Sequence, residues 1–324
     1  MGHKFQASRW KDGRNMKLTP KSRLKIQRFV SGTFIYILLA CLGFVILYQL
    51  FGRAMLSVMD EFDLYDDTVR FLTKRFTLSN YTVAIEYMDY WSSLAETVLF
   101  VTLTSACQVV SSVVIAYGLA RFKFLGNRLL FLFLLLSLII PPQLISLPMY
   151  FRFQYFNIFG LFPQPISLMG NKLSIAMLCL TGMGLKSGLL IYILQQYFRG
   201  FPKELEESAM IDGAGPFRTF FYIALPSTGA MVTTVFLFSM VWQWTDTFYT
   251  ATFLPGNTLL TQKLLGLRSV LDFDIYVEGG AFNIVKSSLT QNAAVLLFIL
   301  PLLLVFIFAQ RYFVESIENT GIVG

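Results

Sequence analysis

Three ionisable residues sit inside or at the edge of strongly apolar sequence: Lys186, Asp246 and Glu96. A central Lys or Asp in hydrocarbon costs about 2.5–3.5 kcal/mol, so such residues usually face a cavity or a partner. Asp246 closes the run Trp242-Gln243-Trp244-Thr245-Asp246. Aromatic faces stack on sugar rings, and amides and charges bond hydroxyls. Lys186, Trp242, Gln243, Trp244 and Asp246 are therefore candidates to line a path for a polar solute. Two structural accounts compete. Lys186 and Asp246 satisfy each other or backbone carbonyls and hold helices together, and the tryptophans form an interfacial belt.

A second set of polar groups is concentrated in FPKELEESAMIDGAGPFRTFFYIALP, residues 201–226, between two apolar runs. Pro202 suits the first turn of a helix, where a missing N–H costs nothing. Glu204, Glu206 and Glu207 follow at the positive end of the helix dipole. Leu205, Ala209 and Asp212 are spaced to share one face. Gly213 fits a left-handed cap, and Gly215-Pro216 starts a second short helix on a new axis. The spacing predicts a bent two-helix knuckle that projects small and acidic side chains. Such a knuckle is either a docking element or a solvated connector.

Other chemistry is absent. The single histidine is His3, with no second ligand near it in sequence, so no metal site is expected. Cys41, Cys107 and Cys179 all lie in apolar runs and offer no disulfide framework. No G-x-x-x-x-G-K-[ST] occurs; GMGLKSG at 182–188 has the wrong spacing and lies in an apolar run. Its Gly184-x-x-x-Gly188 spacing suits close helix contact instead. No catalytic residue and no bound cofactor are expected, and the chain reads as a non-enzyme.

The elements that must position these groups follow from composition. The chain has 324 residues, of which 55% are hydrophobic and only 14% charged, with a mean hydropathy of +0.61. Soluble domains average roughly 25% charged residues, so this is an integral membrane protein. Its net charge of +7 does not point to nucleic acid, because nine of the 26 Lys and Arg crowd into the first 28 residues, before the first apolar run. Six segments are long enough to cross a bilayer as helices: Phe29–Phe51, Leu94–Ala120, Leu129–Tyr150, Leu173–Phe198, Thr228–Tyr249 and Ala293–Tyr312. The expected organisation is a basic cytoplasmic tail over 1–28 and an all-α, six-span membrane domain over 29–324. The excess of Lys and Arg in the segments that share the N-terminus's side of the membrane, 1–28, 121–128, 199–227 and 313–324, predicts that both termini are cytoplasmic. The knuckle at about 199–227 then lies in the cytoplasm as well. Pro141, Pro142 and Pro148 predict a kink in the third span. Outside the spans, Leu260, Leu264, Leu267 and Leu271 form a stripe suited to a short surface helix, either a lid on the bundle or a probe for a partner.

Glu207-Ser208-Ala209, three positions, Gly213, nine positions and Ile223-x-Leu225-Pro226 resemble the "EAA" loop of permease subunits in ABC-type importers, with Ser208 in place of the middle Ala. FTLSNY (76–81), IPPQLISLPMY (140–150), VWQWTDTF (241–248) and QRYFVESIENTGIVG (310–324) are similar to the carbohydrate-uptake branch, on the side of the second maltose-type permease. The resemblance covers roughly 76–324. It implies a type I importer permease fold, in which five spans form a core and the first wraps a neighbour. It implies coupling through Glu207, Ser208, Ala209, Asp212 and Gly213 to a cytoplasmic ABC ATPase dimer that binds the ATP. It also implies a second homologous permease, an extracellular solute-binding protein, a bacterial inner-membrane location among lipid, and a sugar or oligosaccharide as cargo. The reading from a different class is an ion-coupled secondary transporter or channel using Lys186, Asp246 and Glu96.

Overall fold

A computed structural model describes residues 20–321, except 70, 71, 159, 161 and 278–283. His3 and most of the basic tail lie outside the described residues. The chain divides into two compact units, Met1–Arg53 and Ala54–Gly324. The described part of the first is helical, the larger portion of α1 (Pro20–Ser57). Its large apolar side chains between Phe29 and Phe51 are exposed.

The second unit is also helical. Among the described residues, extended pairing is limited to the isolated bridges Met59–Phe76 and Phe156–Ile166. Among the described residues, three helices are long and apolar enough to cross a membrane uninterrupted: the Arg28–Ser57 part of α1, α4 (Tyr90–Arg121), and the Lys286–Arg311 part of α15 (Ile284–Gly321). The other three apolar runs are broken.

The third run is not one kinked helix. α5 (Asn127–Ile139) and α6 (Pro142–Gln154) meet at 106°. A residue before proline is driven out of the helical region, and two prolines in a row do this twice. Ile140 and Pro141 are both extended, at ψ 118° and 137°. The fourth run is α7 (Leu173–Leu180) and α8 (Ser187–Gly200) around an irregular stretch, 181–186. There Gly182 has φ +73° and Lys186 φ +55°. A Cβ on Gly182 would come within 2.8 Å of Ile115 Cδ1, and one on Gly184 within 3.1 Å of Cys179 Cα. Gly184 therefore marks close backbone approach, while Gly182 is called for by its positive φ. The fifth run, 228–249, holds α12 (Gly229–Trp244) and leaves the helical form at 245–247; ahead of it, α10 (Pro216–Thr219), a π-turn over Phe220–Ala224 and α11 (Leu225–Ser227) meet α12 at a 75° bend. Pro226 has no N–H for the Tyr222 carbonyl, and the turn ahead of it widens so that Leu225 N–H bonds Phe220 O.

α4 is the central post, half buried along its most apolar stretch and packed on α7, α8 and α12. Two apolar clusters sit along the bundle. One gathers Tyr117, Leu190, Leu194, Phe198, Phe220 and Val235 near the knuckle. The other gathers Met88, Phe153, Trp244, Phe253, Leu267 and Phe298. The leucine stripe lies on α14 (Leu260–Val277) and faces inward: Leu260, Leu267 and Leu271 are buried, and Leu264 packs against the same cluster. Thr261 Oγ1 donates to Trp244 O at 2.9 Å. This is the lid arrangement.

Before α4, Asp63 of α2 (Glu61–Leu64) accepts bonds at 2.7 Å from Thr73 Oγ1 and from the amides of Lys74 and Arg75. Those donors, Thr73 first, hold its carboxyl below the ordinary carboxylate range. Asn80 of α3 (Ser79–Tyr87) is buried and donates to the carbonyls of Ser57 and Met59. Asn80 is thus a structural amide that ties α3 to the end of α1.

Candidate functional site

The knuckle is built from the end of α8 onward. Pro202 stands just before α9 (Lys203–Ile211), one residue earlier than expected, so it caps the helix instead of occupying its first turn. Glu204 and Glu206 lie in the first turn. The helix stops in a Schellman arrangement: Ala214 N–H bonds Ala209 O at 2.9 Å and Gly213 N–H bonds Met210 O at 3.1 Å, with Gly213 at φ +87°. A Cβ at Gly213 would meet nothing within 4 Å, so its backbone angle, not space, calls for glycine. Gly215 is extended and α10 starts at Pro216.

Of the residues assigned to coupling, Glu207, Ser208, Asp212 and Gly213 are exposed, and Ala209 is buried. The shared face expected of Leu205, Ala209 and Asp212 is split, since Leu205 and Asp212 are exposed. Ser208 Oγ donates to Glu204 O at 2.7 Å. Around these polar groups stand Ile211 and Phe217, 86% and 82% exposed. The knuckle therefore offers a mixed acidic, small and apolar surface.

Its anchor is a residue that sequence reasoning passed over. Arg121, the last residue of α4, donates from Nε to Glu206 Oε1 at 3.0 Å and from Nη2 to Phe201 O at 2.8 Å. Its guanidinium also lies 5.9 Å from the Phe201 ring centroid. The two side chains are only 8% and 7% exposed. Beneath them Tyr117 packs on Phe198 and Phe220, at centroid distances of 5.3 and 4.7 Å. Motion of α9 is thus tied to α4 by a charge pair and to the bundle by aromatic contact.

The second candidate set, at bundle depth, is divided. Lys186 caps α8, with Nζ 4.6 Å from the Trp242 ring centroid. Trp242 stacks on Phe238 at 5.7 Å and 11°. Gln243 is buried and donates to Gln108 Oε1 at 3.2 Å and Cys179 Sγ at 3.2 Å. Gln108, also missed in sequence, joins three elements. It donates to Leu185 O (2.7 Å) and Ser187 Oγ (2.8 Å) and accepts from Ser239 Oγ (2.6 Å). Trp244 is buried with its N–H on Phe298 O at 3.2 Å. Asp246 accepts the amides of Phe248, Tyr249 and Thr250 and so caps α13 (Phe248–Phe253). Lys186 and Trp242 are thus brought together. Gln243 enters a helix-joining network, and Trp244 and Asp246 bind elsewhere. Lys186 and Asp246 do not pair. Glu96 bonds Lys172 and Thr258. These three ionisable groups therefore hold separate partners and form no relay with one another.

A family model described as "Binding-protein-dependent transport system inner membrane component" matches residues 109–319, which include the knuckle, α8 and α12. The chain belongs to this family. The permease is 24% identical over 296 residues to the arabinooligosaccharides transport system permease protein of Halalkalibacterium halodurans, covering 88% of this chain and 94% of that one. It is 26% identical over 313 residues to the galactooligosaccharides transport system permease protein of Bacillus subtilis, covering 93% and 99%. A chain in the crystal structure of a bacterial ABC transporter involved in the import of the acidic polysaccharide alginate shares the fold, with a TM-score of 0.69 at 18% identity, covering 89% of this permease and 98% of that chain. The resemblance to carbohydrate importer permeases and the all-α type I permease fold both hold. The expected count of six spans is not reproduced: among the described residues three helices are long and apolar enough to cross a membrane, or five if each bent pair is one span.

Proposed function

We propose that this permease is the membrane half-channel of an ATP-driven importer that passes a sugar or oligosaccharide delivered by an extracellular solute-binding protein. Relatives that carry arabinooligosaccharides and galactooligosaccharides support that cargo class. In this reading the knuckle and both termini face the cytoplasm. A second homologous permease completes the pathway, and an ABC ATPase dimer binds and hydrolyses the ATP. The permease itself needs no cofactor.

The observation that carries the reading is the form of the knuckle. A connector needs neither an ordered Schellman stop nor a buried charge pair at its root. This segment has both, and it still leaves Glu207, Ser208 and Asp212 outward. Closure of the ATPase dimer would push on α9. Arg121–Glu206 would pass the push to α4, and α4 would carry it to α7, α8 and α12. Glu207 would give the ATPase a charge-assisted hydrogen bond. Ser208 would allow close approach of its surface.

The test is uptake into proteoliposomes containing the full assembly. Accumulation should require ATP and the ATPase, and a cysteine at Ser208 should crosslink to the ATPase. Accumulation driven by an ion gradient without the ATPase would overturn the reading.

A further inference from the structure

We propose that Lys186 and Trp242 form a binding site for a carboxylate-bearing saccharide, so that the cargo of this permease is an acidic sugar. The inference rests on the importer reading above and goes further by naming the chemical class.

Lys186 is one of two non-glycine residues with positive φ among those described, the other being Asp89. The left-handed region costs a residue with a Cβ roughly 1–2 kcal/mol, and glycine adopts it freely. Gly182, four residues earlier, does so. At position 186 the chain carries a lysine instead and holds it there. Gln108 Nε2 clamps Leu185 O, and Ser187 N–H bonds Gly184 O. A strained residue held by its surroundings points to a use for its side chain.

The position of that side chain is informative. α8 has 14 residues, so Lys186 lies about 21 Å from the far end of α8, near mid-bilayer. Trp242 stands at a matching depth, 13 residues along α12 from Gly229. Irregular backbone at membrane depth is tolerated only where protein buries it or where it lines water. Lys186 is exposed in this chain, and an ammonium facing lipid tails would not be stable there, so water or a second chain meets it. In the importer reading the 181–186 break borders the aqueous path between the two permeases.

The ammonium is held but not neutralised. The Trp242 ring attracts it without cancelling its charge. Among the described residues, the carboxylates in ion pairs are Asp66, Glu206, Glu96, Asp89 and Asp272, and none pairs with Lys186. Asp246, the acid expected to meet it, is occupied by three amides. A carboxylate on the cargo would supply the missing charge through a charge-assisted hydrogen bond. Trp242 already carries the ammonium and the stacked Phe238 ring, and both rings pack against the apolar cluster near the knuckle, so the rings position the charge and the charge recognises the cargo. A neutral sugar would offer it hydroxyls alone, a weaker match than a carboxylate.

The experiment uses the complete assembly in proteoliposomes with two labelled probes, digalacturonate and galactobiose. The wild type should accumulate digalacturonate with ATP. Lys186→Gln should lower that uptake about tenfold, the loss of one charge-assisted contact, with an unchanged melting temperature. Lys186→Arg should keep most of it. Wild-type uptake of galactobiose alone overturns the proposal and leaves the importer reading intact. So does an equal fall for both probes, or a lower melting temperature, in Lys186→Gln, because either marks a structural lysine. Uptake of neither probe by an ATP-hydrolysing assembly overturns the acidic-sugar assignment. Failure of the importer reading is seen separately, as an assembly that never recruits an ATPase.

Discussion

Arg121 ends a helix whose last turn already presents unpaired carbonyls, a favourable place for a cation. Its value here is geometric, since it meets a buried carboxylate 85 positions away. Removing one member of a buried pair costs roughly 3–5 kcal/mol because the other is left buried and uncompensated, whereas replacing both with apolar groups is often near neutral. Arg121→Met or Glu206→Leu alone should therefore loosen α9, seen as faster amide exchange over 203–211 and weaker ATP-coupled uptake. The double variant should recover most of the amide protection. It should not recover coupling, because an apolar contact slides where an ion pair holds. Equal exchange in all four proteins would exclude the pair as an anchor. The sequence made Gly213 readable, since a glycine after an acid-started amphipathic turn points to a left-handed cap. It could not single out Glu206, which looks like its neighbours Glu204 and Glu207 until a partner distant in sequence is brought to it.

Helices are where the apolar pattern informs most and misleads most. Runs of about 20 apolar residues gave each span its location, because hydrophobic length is what a bilayer selects. Continuity is set by different physics. Pro141-Pro142 was legible as a disturbance but not as a 106° turn, since the angle depends on what α5 and α6 pack against. The break before α8 was not legible: Gly182, Gly184 and Lys186 sit in a run apolar enough to pass for one helix. Polar bonds now hold that break, centred on Gln108. In a membrane, apolar burial does not drive helix association, and interhelical hydrogen bonds contribute about 0.6 kcal/mol each, with a maximum near 1.7. Gln108→Leu removes bonds to Leu185, Ser187, Ser239 and Gln243. The expected loss is about 2 kcal/mol, measured as a lower denaturation midpoint in detergent, together with new protease sensitivity over 181–186. An unchanged midpoint would mean that the glycine contacts alone hold α7 and α8.

At the scale of the molecule, what stands out is what the chain leaves uncovered. α5 buries none of its 13 residues, although Gly188 of α8 packs so closely on it that a Cβ there would meet Ser137 Oγ at 2.6 Å. Lipid accepts apolar side chains, but it cannot accept Lys186, nor the open backbone that follows Thr181. A single copy of this bundle therefore exposes one surface that no bilayer can solvate, and only a second chain or enclosed water covers it. The second permease that the resemblance implies, and that the proposed function includes, would cover this break. The consequence is measurable. Produced without the second permease, the chain should be degraded several-fold faster in membranes and should precipitate when moved to mild detergent. Co-production should restore its lifetime, and a Lys186→Leu change, which removes the charge from the open surface, should lengthen the lifetime of the lone chain while abolishing the benefit of acidic cargo in the full assembly. A lone wild-type chain as long-lived as the paired one would show that the bundle closes over its own break, and Lys186 would then be a buried structural cation rather than a group that meets the cargo.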